Sequence, residues 1–116
     1  MNENEFGGLY KLLAKNKLKE LREELSDMAY ADIAEFIMDL DDDKLAVKIF
    51  RILPKDISAD VFSYLETDSQ TVIVQSFSDS EIERLMDDLF VDDAVDFLEE
   101  VPANIVRRVL ANTDKE

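Results

Sequence analysis

Large apolar residues recur along this chain at an almost constant interval: Met28, Leu40, Leu53, Leu65, Phe77, Leu89 and Val101 are separated by 12, 13, 12, 12, 12 and 12 residues. A short internal period fixes the size of the structural unit before any composition is considered. Four positions before each closing residue from Leu40 onward stands Phe36, Ile49, Val61, Ile73, Leu85 or Phe97. Three before it stands Ile37, Phe50, Phe62, Val74, Met86 or Leu98. Those offsets define one face of a helix. Seven before comes Ile33, Ala46, Ser58, Gln70, Ile82 or Ala94, so the stripe fades in the middle units, and a last unit carries Ile105, Val106, Val109 and Leu110. All the large apolar residues are read as core, including Phe50, Phe62 and Tyr64 at the helix ends.

The junctions Asp41-Asp42-Asp43, Pro54-Lys55-Asp56, Glu66-Thr67-Asp68, Ser78-Asp79-Ser80 and Pro102-Ala103-Asn104 each read as a helix start. Ser78 with Glu81 fits a capping box, Asp41 and Thr67 are candidate acceptors for orphan amides, and Pro54 and Pro102 suit a first turn. Each helix is then roughly eight to ten residues, shorter than the roughly 12 to 15 at which isolated helices become even marginal. Stability has to come from stacking. The expected fold is all-α, a superhelical stack of short helices in units of about 12 residues, a small solenoid. Residues 1–27 are expected as N-terminal capping helices built on Leu9, Leu12, Leu13, Leu18, Leu21 and Leu25, residues 28–112 as the repeats, and 113–116 as a tail. Gly7-Gly8 and the stretch from Asn112 onward are expected as loose ends.

With 116 residues the chain is one domain's worth. Its 28 acidic and 13 basic residues give a formal charge of −15, which disfavours nucleic acid and anionic lipid and favours cations or basic surfaces. The absence of cysteine and histidine removes disulfides, thiolate nucleophiles, the usual zinc sites and imidazole proton transfer. The only glycines, Gly7 and Gly8, make no phosphate-cradling loop. A Ser-Lys nucleophile would need a neutral lysine, and the lysines here have acidic neighbours that keep them protonated. Asp39, Asp41 and Asp43 imitate the start of an EF-hand loop, but Lys44 stands where its glycine belongs and Phe50 where its glutamate belongs. Nothing points to a sugar cleft between paired carboxylates. The chain therefore reads as a non-enzyme with no catalytic residues. No apolar run approaches the roughly 18 residues of a membrane span, and the N-terminus is too acidic for a secretory signal, so it reads as soluble and intracellular.

Charge is concentrated. Between Asp79 and Glu100 there are ten carboxylates and one base, Arg84. Asp92 and Asp96 lie four apart at a helix start, on one face, where like charges repel unless a cation or the helix dipole compensates. Mg²⁺ is a hard ion that keeps several waters and takes one or two carboxylates, so such a pair suits a half-site completed by a partner. The bland alternative is solvated charge at a helix start, and Asp41, Asp42, Asp43, Asp87 and Asp88 are read that way.

The stretches ADIAEFIMDL, LPKDISADVFSYL and FVDDAVDFLEEVP, in this order and spacing, resemble the N-terminal cytosolic domain of MgtE-type magnesium transporters over roughly Leu18 to Leu110. The resemblance implies a helical superhelix on the cytoplasmic side of the cell membrane, ahead of CBS domains and a transmembrane channel of the same chain, which works as a homodimer. It implies weak, regulatory Mg²⁺ binding between this domain and the acidic CBS domains, which closes the pore. The ligand positions it implies are Asp60, Asp92 and Asp96, with Asp93 in support. Where Asp60 stands the family often has the longer glutamate. No direct membrane contact by this stretch is implied. An alternative is a metal-free interaction module like the helical parts of the flagellar motor switch protein FliG, its acidic face meeting a basic protein surface.

Overall fold

The computed structural model describes residues 3–112, with side chains from Phe6 onward. Among the described residues the chain forms α1 (Glu3–Ala14), α2 (Leu18–Ser26), α3 (Tyr30–Asp39), α4 (Asp43–Ile52), α5 (Lys55–Tyr64), α6 (Thr67–Ser76), α7 (Asp79–Asp88), α8 (Val91–Glu100) and α9 (Ala103–Ala111), and no strand. The all-α stack of short helices is thus the observed architecture.

The closing residues of the repeat are where the helices stop. Leu40, Leu53, Leu65, Phe77, Leu89 and Val101 are all C-caps whose backbone has swung into the extended region. No glycine is needed, because the chain leaves the helix through the β region rather than the left-handed one. All but the half-buried Leu40 are buried, so each closing side chain anchors its corner in the core. From Leu53 onward the next residue is already the N-cap of the following helix, giving a corner of two extended residues.

Tight corners force each helix back over its predecessors. α3 packs on α5, α4 on α6, α5 on α7, and α6 on both α8 and α9. The core is a file of rings along this stack: Phe6 and Tyr10 meet Phe36 edge-on, Phe50 meets Phe62 and Phe77, and Phe62 meets Phe97 with centroids 5.2 Å apart. The outcome is elongated, with extents of 44 × 22 × 22 Å.

The fading of the stripe at Gln70 has a structural reason. Gln70 is buried, and its Nε2 donates at 2.8 Å to the Phe62 carbonyl in the last turn of α5, which also accepts the Leu65 amide. Arginines serve other helix ends from a distance in sequence. Arg22 donates to the Ile52 carbonyl, Arg51 to that of Ser76, and Arg108 to those of Val74 and Phe77. Cations at C-termini also complement the helix dipole.

Several local expectations need correction. Gly7 and Gly8 are not loose but lie inside α1, because burying Phe6 and Leu9 against the stack outweighs the helix cost of two glycines. Asn112 is likewise held, its Nδ2 donating to the Arg108 carbonyl at 2.9 Å; residues 113–116, the expected tail, lie outside the described residues. Asp42 rather than Asp41 caps α4, accepting from the Lys44 amide, and Thr67 opens α6 without capping it. Pro54 and Pro102 sit at the N-cap, one residue before the helix. The Ser78–Glu81 capping box is formed. Between α1 and α2, Asn16 takes a positive φ of 57°, and the Asn16 and Lys17 amides donate back to Leu13 and Leu12 in a Schellman closure.

Candidate functional site

The acidic end of the molecule is built on α7 and α8. The first turn of α8 follows an N-cap, Phe90, that has no side-chain acceptor, so Asp92 and Asp93 supply the negative charge that favours this terminus. α8 turns Phe97 into the core against Phe62. Asp92 and Asp96 are exposed, and their four-residue spacing puts their Cβ atoms about 5–6 Å apart on one face.

Asp93 has a different environment. It is half-buried, and the Ser63 hydroxyl on α5 lies 3.0 Å from its Oδ2. That hydroxyl is also 3.2 Å from the Ala59 carbonyl, so its single proton is shared between two acceptors. Asp60, one turn earlier on α5 and also half-buried, lines the same open depression of about 500 Å³, together with Tyr30, Ser63, Tyr64, Phe90 and Asp93. The four residues singled out from sequence therefore fall into two pairs. Asp60 and Asp93 share a crevice between α5 and α8, whereas Asp92 and Asp96 share the outward face of α8. Among the described residues no three carboxylates gather around one metal position.

Nor is the outward pair neutralised among the described residues. The ion pairs among the described residues join Arg51 to Glu81 and Arg108 to Asp79, and neither reaches Asp92 or Asp96. Glu81 shows what neutralisation looks like here: Arg51 grips it through Nε and Nη2, both at 3.0 Å. That hydrogen-bonded guanidinium, aided by Ser78, holds the Glu81 carboxyl below the ordinary glutamate range against the opposing effect of burial.

Around the carboxylates the surface is unexpectedly apolar. Phe90 is 70% exposed, Val91 76%, Val95 45% and Tyr64 57%. Reading every large apolar residue as core was wrong for these four, and also for Leu110 of the last unit, which is 51% exposed at the end of α9, where no further described helix follows to cover it. The signal was present in the period, since Phe90, Val91 and Val95 fall outside the positions zero, three, four and seven before the closing Val101. Also missed was a basic stripe, Lys44, Lys48 and Arg51, at offsets of four and three on α4. No described helix is long and apolar enough to cross a membrane.

What this end of the molecule offers chemically is hard oxygen ligands and an apolar contact face. None of the curated proteins compared with the chain matches it. A family model does: that of the MgtE intracellular N domain, over residues 28–116. The match opens at Met28, the first closing residue of the repeat, and takes in α3 to α9 with Asp60, Asp92, Asp93 and Asp96. This is a domain of a transporter and not a catalytic family. A twelve-residue period that closes α4 to α8 each on a buried apolar residue, and a family match that spans it, lead to one conclusion: the chain belongs to the MgtE intracellular N domain family.

Proposed function

We propose that this domain senses cytoplasmic Mg²⁺ for an MgtE-type transporter, holding the ion between Asp92 and Asp96 and a second acidic module, the CBS domains of the same full-length chain. The observation that carries this reading is the outward Asp92/Asp96 pair, which meets no cation of its own chain among the described residues. Both are hard oxygen donors open to water, which fits an ion that keeps most of its hydration shell. Asp60, with Asp93 in support, adds ligand charge from the neighbouring crevice between α5 and α8. Without Mg²⁺ two acidic surfaces repel. With it the docked arrangement gains bridging contacts, and the exposed Phe90, Val91 and Val95 gain a surface to bury against. The docked state is the one that closes the pore in the homodimeric channel. Because the ion acts through its preference for that state, the domain alone binds it weakly.

Titration calorimetry on this chain is expected to give weak Mg²⁺ binding, on the order of millimolar or weaker; tight one-to-one binding would overturn the half-site. In the full transporter, Mg²⁺ is expected to protect the interdomain linkers from protease, and Asp92→Asn with Asp96→Asn to abolish that protection. The exposed apolar cluster also favours a second reading, a metal-free interaction module like those of FliG. In that case the double substitution would only weaken a salt-sensitive complex.

A further inference from the structure

A chain of charge −15 has most use for its basic residues as dispersed counter-charges, yet seven of the 13 gather on one side. Lys44, Lys48 and Arg51 share a face of α4, and Lys55 follows at the start of α5. Three depressions adjoin along this face, and Arg51 lines all three. One, of about 450 Å³, is rimmed by Lys19, Arg22, Arg51 and Lys55 over Leu18 and Ile52. Another, of about 300 Å³, is rimmed by Lys44, Lys48 and Arg51 over Val47 and Ile52. Among the described residues neither has a carboxylate in its lining. The third adds Arg84, with Glu81 and Asp88 as its acids, and Glu81 is already gripped by Arg51.

The fold uses only part of this charge. Arg51 and Arg22 serve helix ends, and Lys48 reaches the Asn16 side chain at 3.4 Å. Lys19, Lys44, Lys55 and Arg84 form no ion pair among the described residues. Unpaired cations held together repel one another and leave a local positive field in a molecule that is otherwise negative.

We propose that this groove over α2, α4 and the start of α5 docks an acidic polypeptide segment of a partner, one in which carboxylates alternate with apolar side chains. The carboxylates match the rim, and the apolar side chains match the floor of Leu18, Val47 and Ile52. Cations strung along three helices suit an extended chain better than a phosphate, for which converging backbone amides or a glycine turn would be needed. A flat anionic bilayer would feel the charge of the whole domain, which repels it. The inference uses none of the Mg²⁺ candidates and stands whether or not the metal reading holds.

The test is an NMR titration of the isotope-labelled chain with a capped nine-residue peptide of alternating Glu and Leu. Amide shifts are expected on α2, α4 and Lys55. Lys55→Glu should weaken binding at least tenfold, while Arg107→Glu, an equal charge change on the exposed face of α9, should weaken it less than threefold. Salt supplies a second signature. At 0.01 M the Debye length of about 30 Å exposes the peptide to the whole −15 chain. At 0.15 M it is about 8 Å and only the groove is felt, and at 1 M about 3 Å. Affinity should therefore rise from 0.01 to 0.15 M and fall by 1 M. Equal weakening by the two substitutions, or shifts elsewhere, would overturn the proposal. Equal groove shifts from inorganic phosphate or phosphatidylserine vesicles would assign the groove to those ligands and overturn it too. So would salt-dependent dimerisation by sedimentation that Lys55→Glu abolishes, since that would make a second copy the occupant.

Discussion

α4 and α8 are the same structural object with opposite surfaces. Each is ten residues long, each ends on a buried extended C-cap, and each packs on α6. α4 turns Val47, Ile49 and Phe50 into the core; α8 turns in Phe97. On the outside α4 carries Lys44, Lys48 and Arg51, and α8 carries Asp92, Asp96, Glu99 and Glu100. The charge of α4 is partly woven into the fold, since Arg51 holds Glu81 and the Ser76 carbonyl and lies 5.3 Å from the Phe77 ring centroid. Among the described residues, the half-buried Asp93 is the only α8 carboxylate hydrogen-bonded to another helix, through Ser63. The corner geometry and the buried stripe are what the solenoid requires; the outer face is free to vary, and recognition can be built there.

The largest test of that division is in the stripe. Phe62 is fully buried and meets both Phe50 and Phe97 edge-on, so Phe62→Ala is expected to cost about 3–5 kcal/mol in urea unfolding. Phe90→Ala, at a ring 70% exposed, is expected to stay within about 0.5 kcal/mol. Equal losses would mean that the acidic end is as integral to the stack as its middle.

Next in size is the charge that α4 lends the fold. Arg51→Ala removes a bidentate partner from Glu81 and a donor from the end of α6, and is expected to cost about 1–2 kcal/mol at neutral pH. Arg51→Lys should recover less than half of that, since an ammonium cannot reproduce the fork. The same contact predicts a pH dependence. Because the folded Glu81 carboxyl lies below its ordinary value, the stability it contributes is present in full above that value and is lost as pH falls through the folded one. The gap in stability between the native chain and Glu81→Gln should therefore be widest at neutral pH and close on acidification. A gap independent of pH would show that the pair contributes nothing through ionisation.

How much of this was legible depended on whether a residue obeys the period. Phe36, Ile49, Val61, Ile73, Leu85 and Phe97 are all buried where the spacing put them. The capping box at Ser78 was legible because two side chains three residues apart decide it. Gly7 and Gly8 misled, because helix propensity is local and the burial of Phe6 beside them is tertiary. The pairing of Asp60 with Asp93 was hidden because it depends on how α5 lies against α8, contacts about thirty residues apart that no short-range spacing encodes. Asp92 and Asp96, on one helix, needed only the four-residue rule.

The smallest expected effect is the one that separates function from fold on α8. Two carboxylates at this spacing repel, and the pair meets no cation of its own chain among the described residues. Removing both charges with Asp92→Asn and Asp96→Asn in the absence of Mg²⁺ should leave stability unchanged or raise it by a few tenths of a kcal/mol. The helix dipole works the other way at Asp92, which lies in the first turn, so the gain should come mainly from Asp96→Asn. Thermal unfolding of the single and double variants in EDTA reads this directly. A loss above about 1 kcal/mol would mean that these side chains hold the helix end, and the α8 surface would then belong to the fold as Arg51 does.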